Sequence, residues 1–419
     1  MNAAGLEDAG ERAGPPTRRS ATQAATQATT PRARWRLGAT TLALALLGGL
    51  LAAAPLPRDA TGPRTGGVPR VPLQEAPIGS TAPVAAAPAP APGRDAATWA
   101  AVGRGLDWLA ARQKEGPDGA FPRGNAAIHA PLATTAIGAL AFMAGGSGID
   151  RGPHGAAVAR AIDYLLARAN REPRSAERGF LASPGDTTSR MHGHGYATHA
   201  LAEAYAVSTA STRGRLLREV LPLAADLIER TQGPEGAWWY DPWISVEHEG
   251  SVTITLVQGL RAAKSAGLEV NPRVIAAADD YVRRSQVEDG TFAYHVGSER
   301  TSVALTAAAI ATLNATGSYD DSAIRRGVDA IWRELGKRGP GRTGIEFPFY
   351  ERLYLAQAFW QLSEPSHFER WFELEARYLL TTQRADGSWE DTRYGDAYAT
   401  AMNTLVLALP AGLLPSFTR

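Results

Sequence analysis

One loop recurs along the sequence at a regular spacing, and this repeat limits the possible folds more than any other feature. Each clear copy begins with Gln, reaches a Gly a few residues later, and has an aromatic residue two positions after that Gly. The four clear copies are Gln113, Gly119 and Phe121; Gln232, Gly236 and Trp238; Gln286, Gly290 and Phe292; and Gln383, Gly387 and Trp389. Two weaker copies, from Asn170 to Phe180 and ending at Phe347, complete the series. The mean spacing is then 54 residues over the five intervals from Gln113 to Gln383.

Each repeat has room for two helices of about four turns and two loops. The segment before a loop carries a single apolar stripe, such as Trp99, Val102, Leu106 and Leu109, whereas the segment after it is Ala-rich and apolar around most of its circumference. Helices that are apolar all round are buried, so amphipathic helices would surround an inner ring. We therefore predict an all-α (α/α)6 toroid of six helix-pair repeats over residues 96–419, with the Gly-x-aromatic loops as structural clasps.

The copy from Gln383 to Trp389 reads QRADGSW and resembles the QW repeat of squalene-hopene cyclases, within the prenyltransferase and squalene oxidase repeat superfamily. The resemblance covers residues 96–419 and implies the α/α toroid of terpenoid cyclases and protein prenyltransferases. It also implies a D-x-D-D acid motif, which this sequence lacks. The nearest string ends at Asp320 and Asp321 and is expected to cap an outer helix. The chain has no Cys, which excludes the Asp, Cys and His zinc ligands of the prenyltransferases and the reactive Cys of thioester toroids.

Polar residues concentrate where the inner helices are expected to start, a rim polarised by helix N-termini. Glu247 and Glu249 are candidate catalytic acids, because an apolar funnel raises the pKa of a carboxyl group; charge placement at a helix N-terminus is the competing interpretation. The candidate ligand-binding residues are His192, His194, Tyr196, His199, His248, Tyr350, Tyr354, Asp396 and Tyr398. A metal at the three clustered histidines is less favoured than capping or substrate hydrogen bonding, so we expect no metal and no cofactor.

The first 95 residues have a different composition. Residues 1–36 lack apolar periodicity and are predicted to be a disordered cytoplasmic tail. Residues 37–54 form an uncharged apolar run of 18 residues that would span roughly 27 Å as a helix. Arg32, Arg34 and Arg36 precede it, which places the rest of the chain outside the cytoplasm. Residues 55–95 contain ten prolines and are predicted to be a Pro/Ala-rich stalk.

These features predict a single-pass membrane protein with an extracytoplasmic toroid; the alternative is secretion after cleavage of a signal peptide. A net charge of +1 does not favour nucleic acid as a partner. The predicted function is a ligand-binding or scaffold module for an isoprenoid or other apolar ligand. The alternative is an enzyme, either a terpenoid cyclase with a substitute rim acid or a polysaccharide lyase or hydrolase, so a glycan ligand stays open. The chemistry of the central funnel distinguishes these functions.

Overall fold

The computed structural model describes residues 95–184, 186, 190–208, 211–319, 321–338 and 345–418. This part of the chain contains twelve α-helices and no strand. In chain order the helices are α1 (Ala96–Gln113), α2 (Pro131–Ala144), α3 (Gly155–Ala167), α4 (Arg190–Ala206), α5 (Thr212–Arg230), α6 (Gly250–Ser265), α7 (Pro272–Arg284), α8 (Val303–Thr316), α9 (Ser322–Gly336), α10 (Pro348–Trp360), α11 (Ser366–Thr382) and α12 (Asp396–Ala408).

The six even-numbered helices form a closed ring. Each packs against the next even-numbered helix, and α12 returns to α2. Most residues of these helices are buried, as their apolar sequences predict. The odd-numbered helices lie outside the ring and bury one face each; α9, for example, buries Ile324, Val328 and Ile331 at helical spacing. The predicted all-α toroid of paired helices is therefore confirmed, and Asp321 caps the outer helix α9 by accepting the Ile324 N–H at 3.0 Å.

The QW-like loops join neighbouring units through the side-chain amide of their Gln. This amide donates to the carbonyl of the loop's own Gly and to a backbone carbonyl near the start of the next outer helix. The four pairs of acceptors are Gly119 and Ala157 for Gln113, Gly236 and Val274 for Gln232, Gly290 and Ala323 for Gln286, and Gly387 and Ala101 for Gln383. Because Ala101 lies in α1, the last clasp closes the ring onto the first unit.

The glycine and the aromatic residue of each clasp have separate structural roles. Gly290 has a φ of 88°, and a Cβ atom placed on it would lie 2.6 Å from the carbonyl oxygen of Arg326 in α9. The aromatic ring of Phe292 is buried, and its backbone N–H donates to the Thr306 hydroxyl of the next inner helix at 3.0 Å. Only glycine combines this left-handed backbone with so close an approach to a neighbouring helix.

The weaker copy that ends at Phe180 keeps the glycine of the clasp but not its amide bonds, since the Asn170 amide donates to the Ser175 hydroxyl at 2.9 Å. Gly179 has a φ of 91° and lies directly against the Leu223 carbonyl. The residue two positions after this Gly is Leu181, however, so Phe180 does not occupy the aromatic position of the repeat. The Leu181 N–H donates to Nδ1 of His194 at 3.1 Å, where the other clasps use a Thr hydroxyl.

Several predictions about the N-terminal region lie outside the described residues. These are the disordered tail at 1–36, the apolar segment at 37–54 and all of the stalk except Asp95. Asp95 caps α1 by accepting the Thr98 N–H at 2.9 Å. None of the described helices has the length and apolarity needed to span a bilayer.

Candidate functional site

Four of the predicted ligand-binding residues meet on the axis of the toroid. Tyr196 comes from α4, Tyr350 and Tyr354 from α10, and Tyr398 from α12. Because α4 and α10 lie opposite each other in the six-membered ring, the interaction of Tyr354 with Tyr196 crosses the axis. The rings of Tyr350 and Tyr354 are 4.4 Å apart. We call these four side chains the tyrosine cup; it lies near the rim, the end of the toroid at which the inner helices begin.

The hydroxyl groups of the tyrosine cup are neutral hydrogen-bonding groups. Burial raises the pKa of Tyr196, Tyr350 and Tyr398 well above the ordinary value of 10, and repulsion between neighbouring tyrosine oxygens adds to the effect. Burial also raises the pKa of Tyr354. A tyrosine with a raised pKa keeps its proton at neutral pH, so each hydroxyl is able to donate to a ligand oxygen.

Two of these hydroxyls have no hydrogen-bond partner among the described residues. They are the hydroxyls of Tyr350 and Tyr354. Polar interactions with Thr255, Tyr196 and Tyr350 lower the pKa of Tyr354 against the effect of its burial, but none of them has the geometry of a hydrogen bond. The same face of α10 continues with Gln357 and Gln361, which also have a buried polar atom without a partner in the described part of the chain. Leaving such a group unsatisfied costs roughly 1–3 kcal/mol, so these groups are candidates to bind a polar partner, either a water molecule or a ligand.

A pocket of about 200 Å³ at the rim is lined by two members of the cup, Tyr350 and Tyr398. Its walls are mainly aromatic, with three charged residues among them: Glu346, Phe347, Pro348, Phe349, Tyr350, Asp391, Arg393, Tyr394 and Tyr398. The Arg393 guanidinium lies 4.4 Å above the ring of Phe347. We call this space the mouth pocket. At the opposite end, the C-terminal segment closes the axis, since His199 hydrogen-bonds Ser416 and the Gln361 amide donates to the Phe417 carbonyl at 3.3 Å.

The clustered histidines have different environments. His192 hydrogen-bonds the Ser251 hydroxyl at 3.0 Å, one helical turn above Tyr196. His194 is fully buried in the wall, where its two ring nitrogens contact the Leu181 N–H and the Ala224 carbonyl. Burial lowers the pKa of His192 and His194 to about 4 and that of His199 to about 3, so all three are neutral.

His248 lies outside this group, because it bonds the hydroxyl of Tyr281 on the outer helix α7 at 3.0 Å. No group of three potential metal ligands occurs among the described residues.

The two candidate acids do not form a pair. Glu249 is fully buried and caps α6, accepting the Ser251 N–H at 2.9 Å, the Val252 N–H at 2.8 Å and the Ser251 hydroxyl at 2.7 Å. Burial raises its pKa. Glu247 is exposed. The geometry therefore agrees with helix capping for Glu249, while Ser251 links this carboxyl to His192 beside the cup.

Asp396 holds the loop before α12 instead of facing the cup. Its carboxylate accepts from the Asn125 amide at 3.0 Å, the Arg384 guanidinium at 2.8 Å and the Asp391 N–H at 3.0 Å. The polar residues that the sequence prediction missed are Thr255, Gln258, Gln357 and Gln361. The sequence does contain a signal for two of them: polar residues recur on one face of a buried helix. Positions 350, 354, 357 and 361 follow the i, i+4, i+7, i+11 pattern of such a face.

Neither a family model nor a curated protein sequence matches this chain. Among solved structures, the chain is similar to an α-1,6-mannanase of Salegentibacter in complex with α-1,6-mannotriose (TM-score 0.51, 12% identity, 74% of this chain and 99% of that one). It is also similar to cellobiose 2-epimerase from Spirochaeta thermophila (TM-score 0.48, 17% identity, 67% and 86%) and to the type II terpene cyclase MstE from Scytonema (TM-score 0.47, 16% identity, 76% and 99%). The shared feature is the α/α-toroid fold. Membership in the squalene-cyclase-like superfamily stays a prediction.

Proposed function

We propose that the toroid is a ligand-binding module and that the tyrosine cup takes a neutral, hydroxyl-rich ligand of the carbohydrate class. The observation that carries this proposal is the pair of buried hydroxyls on Tyr350 and Tyr354 without partners among the described residues. A sugar hydroxyl supplies both a donor and an acceptor to such groups. A hydrocarbon would leave both unsatisfied, at a cost of roughly 1–3 kcal/mol each.

The mouth pocket supports the same class of ligand. Partly exposed aromatic rings, such as those of Phe349 and Tyr398, can stack on the apolar face of a sugar ring. Asp391 and Arg393 add an acceptor and a donor for hydroxyl groups at the entrance. An isoprenoid or other apolar ligand, which the sequence resemblance favoured, would gain from the rings but would desolvate the polar groups below them.

Binding without turnover is the favoured function because the four cup side chains are protonated tyrosines, which donate hydrogen bonds but do not take up a proton at neutral pH. An enzyme acting on a glycan is the second candidate. One observation favours it: the buried Glu249 carboxyl, with its raised pKa, is linked through Ser251 to His192 beside the cup. A terpenoid cyclase would depend on the same carboxyl as its acid.

We also propose that residues 37–54 tether the toroid to the extracytoplasmic side of a membrane. The basis is the sequence pattern alone: an uncharged run of 18 residues, preceded by arginines and followed by a proline-rich stalk. Membrane fractionation of the full chain, with and without alkaline extraction, tests this part of the proposal.

The ligand class is tested by titration calorimetry of the full chain with α-1,6-mannotriose, cellotriose and geranylgeraniol. We expect at least one saccharide to bind about tenfold more tightly than geranylgeraniol, since one complemented buried hydroxyl corresponds to about 1.4 kcal/mol. Chromatography of the same mixtures reports any saccharide product, which would favour the enzyme. Binding of geranylgeraniol alone would contradict the carbohydrate proposal.

A further inference from the structure

A second and larger cavity lies at the seam where the last clasp closes onto the first unit. Its volume is about 450 Å³, within the range of small-molecule sites. One side is formed by α1 and the loop after it, and the other by the last clasp and the start of α12. The lining residues are Trp108, Ala111, Arg112, Glu115, Pro122, Arg123, Gly124, Asn125, Asp386, Asp396 and Ala397. We call this cavity the seam pocket.

In each of the four clear clasps, the residue directly before the glycine is acidic. The clasp at the seam differs from the others in the partner of this acidic residue. In three other clasps this acid pairs with an arginine of the next outer helix: Asp118 with Arg168 at 3.5 Å, Glu235 with Arg284 at 3.0 Å and Asp289 with Arg333 at 3.9 Å. At the seam, Asp386 instead accepts the indole N–H of Trp108 at 3.1 Å. Arg112, at the corresponding end of α1, pairs with Glu115. An aromatic ring thus replaces the interhelical guanidinium at the seam.

Trp108 is held as a fixed, partly exposed platform. Its N–H is bound to Asp386, whose other oxygen accepts the Ser388 N–H at 3.0 Å and the Ser388 hydroxyl at 2.7 Å. Opposite the platform, the Asn125 amide and the Asp396 carboxylate are joined at 3.0 Å. One flat aromatic face beside an amide, carboxylates and a guanidinium matches the apolar face and the adjacent hydroxyls of a sugar ring.

The seam pocket and the mouth pocket lie on two sides of the first turn of α12. Asp396 and Ala397 line the seam pocket, whereas the next residue, Tyr398, lines the mouth pocket. The wall between them is the 390–395 loop, which two backbone hydrogen bonds fix to residues 127 and 128, at 3.0 and 2.8 Å. A helix with its side chains is about 10 Å wide, so one short chain of sugar rings would reach both pockets.

We propose that the seam pocket is a second sugar subsite and that the ligand of the toroid is an oligosaccharide extending from the tyrosine cup over the 390–395 loop to Trp108. This inference rests on the proposed function of the cup. It adds a prediction of the length of the ligand, and it identifies Trp108 as a residue that contacts only the longer ligand.

The test compares tri- and hexasaccharides of the α-1,6-linked mannose and β-1,4-linked glucose series by titration calorimetry of the full chain. We expect the hexasaccharide to bind about tenfold more tightly than the trisaccharide, and Trp108→Leu to abolish this gain while leaving the trisaccharide Kd within about twofold. Asn125→Ala, a change in an exposed loop, should reduce the same gain. Tyr350→Phe, in the cup, should weaken both lengths alike.

The outcomes separate the two proposals. If the hexasaccharide keeps its advantage in both Trp108→Leu and Asn125→Ala, or if wild type shows no gain with length, the seam pocket is not a subsite while the cup proposal stands. If wild type binds neither length in either series, the carbohydrate function fails and the subsite fails with it. Normal trisaccharide binding by Trp108→Leu shows that the variant is folded.

Discussion

Replacement of Gly290 by Ala should lower the free energy of unfolding by about 2–5 kcal/mol. The left-handed φ of 88° costs an L-residue roughly 1–2 kcal/mol. The added Cβ would lie 2.6 Å from the Arg326 carbonyl oxygen, so the clasp loop and α9 must move apart, and overpacking of this kind costs about 1–3 kcal/mol. Denaturant unfolding followed by circular dichroism measures the change.

Substitutions at two other glycines measure the backbone contribution and the packing contribution separately. Gly317 has a φ of 94° but open space around it, so Gly317→Ala should cost only the backbone term of about 1–2 kcal/mol. Gly103 lies within α1 with open space and an ordinary φ, so Gly103→Ala should raise stability by up to about 1 kcal/mol. Equal losses for Gly290→Ala and Gly317→Ala would show that the close approach between units does not constrain the clasp.

The second large effect concerns acid stability and His194. Its pKa falls to about 4 in the folded chain, from an ordinary 6.5, because it is buried. Between pH 6.5 and pH 4 this histidine is protonated in the unfolded chain but not in the folded chain, so the free energy of unfolding decreases as the pH falls. The slope is about 1.4 kcal/mol per pH unit, and the total approaches 3 kcal/mol at pH 4. His192 and His199 add to this loss, whereas buried acids with raised pKa values, such as Glu249, oppose it.

His194→Thr isolates the contribution of this histidine. Threonine occupies the corresponding place in other clasps, where Thr253 and Thr306 accept the N–H of the aromatic residue. The variant should be less stable at pH 7.5, because a smaller side chain leaves a cavity, but its stability should fall less steeply between pH 6.5 and 4. Urea unfolding at several pH values measures both quantities. Parallel curves for wild type and variant would contradict a neutral, buried His194.

The fold was predictable because its determinants are local and repeated. Gln, Gly and an aromatic residue at fixed offsets specify a clasp, and helices that are apolar all round specify an inner ring. The role of His194 was missed, although the sequence shows Leu181, and not Phe180, two positions after Gly179. Which side chain accepts the Leu181 N–H depends on the backbone positions of two segments, and these are known only from the structure.

The site was predicted in part for a related reason. The start of each inner helix placed Tyr196, Tyr350, Tyr354 and Tyr398 at the rim. Which of their hydroxyls lack partners in the described structure depends on packing across the ring, between helices more than 150 residues apart in sequence. Apolar inner helices and the cyclase resemblance suggested a hydrocarbon ligand. Because of the polar groups along α10, we expect a hydroxylated ligand instead.

The tyrosine cup as a saccharide-binding site is tested most directly by Tyr354→Phe, assayed for both saccharide affinity and stability. The Tyr354 hydroxyl is buried without a hydrogen bond among the described residues, so its removal should not lower the free energy of unfolding. The matched control is Tyr164→Phe, because the buried Tyr164 hydroxyl bonds Ser183 at 2.8 Å in the outer layer. We expect the control to lose about 1 kcal/mol of stability with unchanged affinity.

Titration calorimetry of Tyr354→Phe with α-1,6-mannotriose and cellotriose measures whether this hydroxyl binds a ligand. We expect about tenfold weaker binding of whichever saccharide the wild type prefers, with undiminished stability. Unchanged affinity combined with lower stability would show that the hydroxyl serves the fold and not a ligand, and would contradict the tyrosine cup as a binding site.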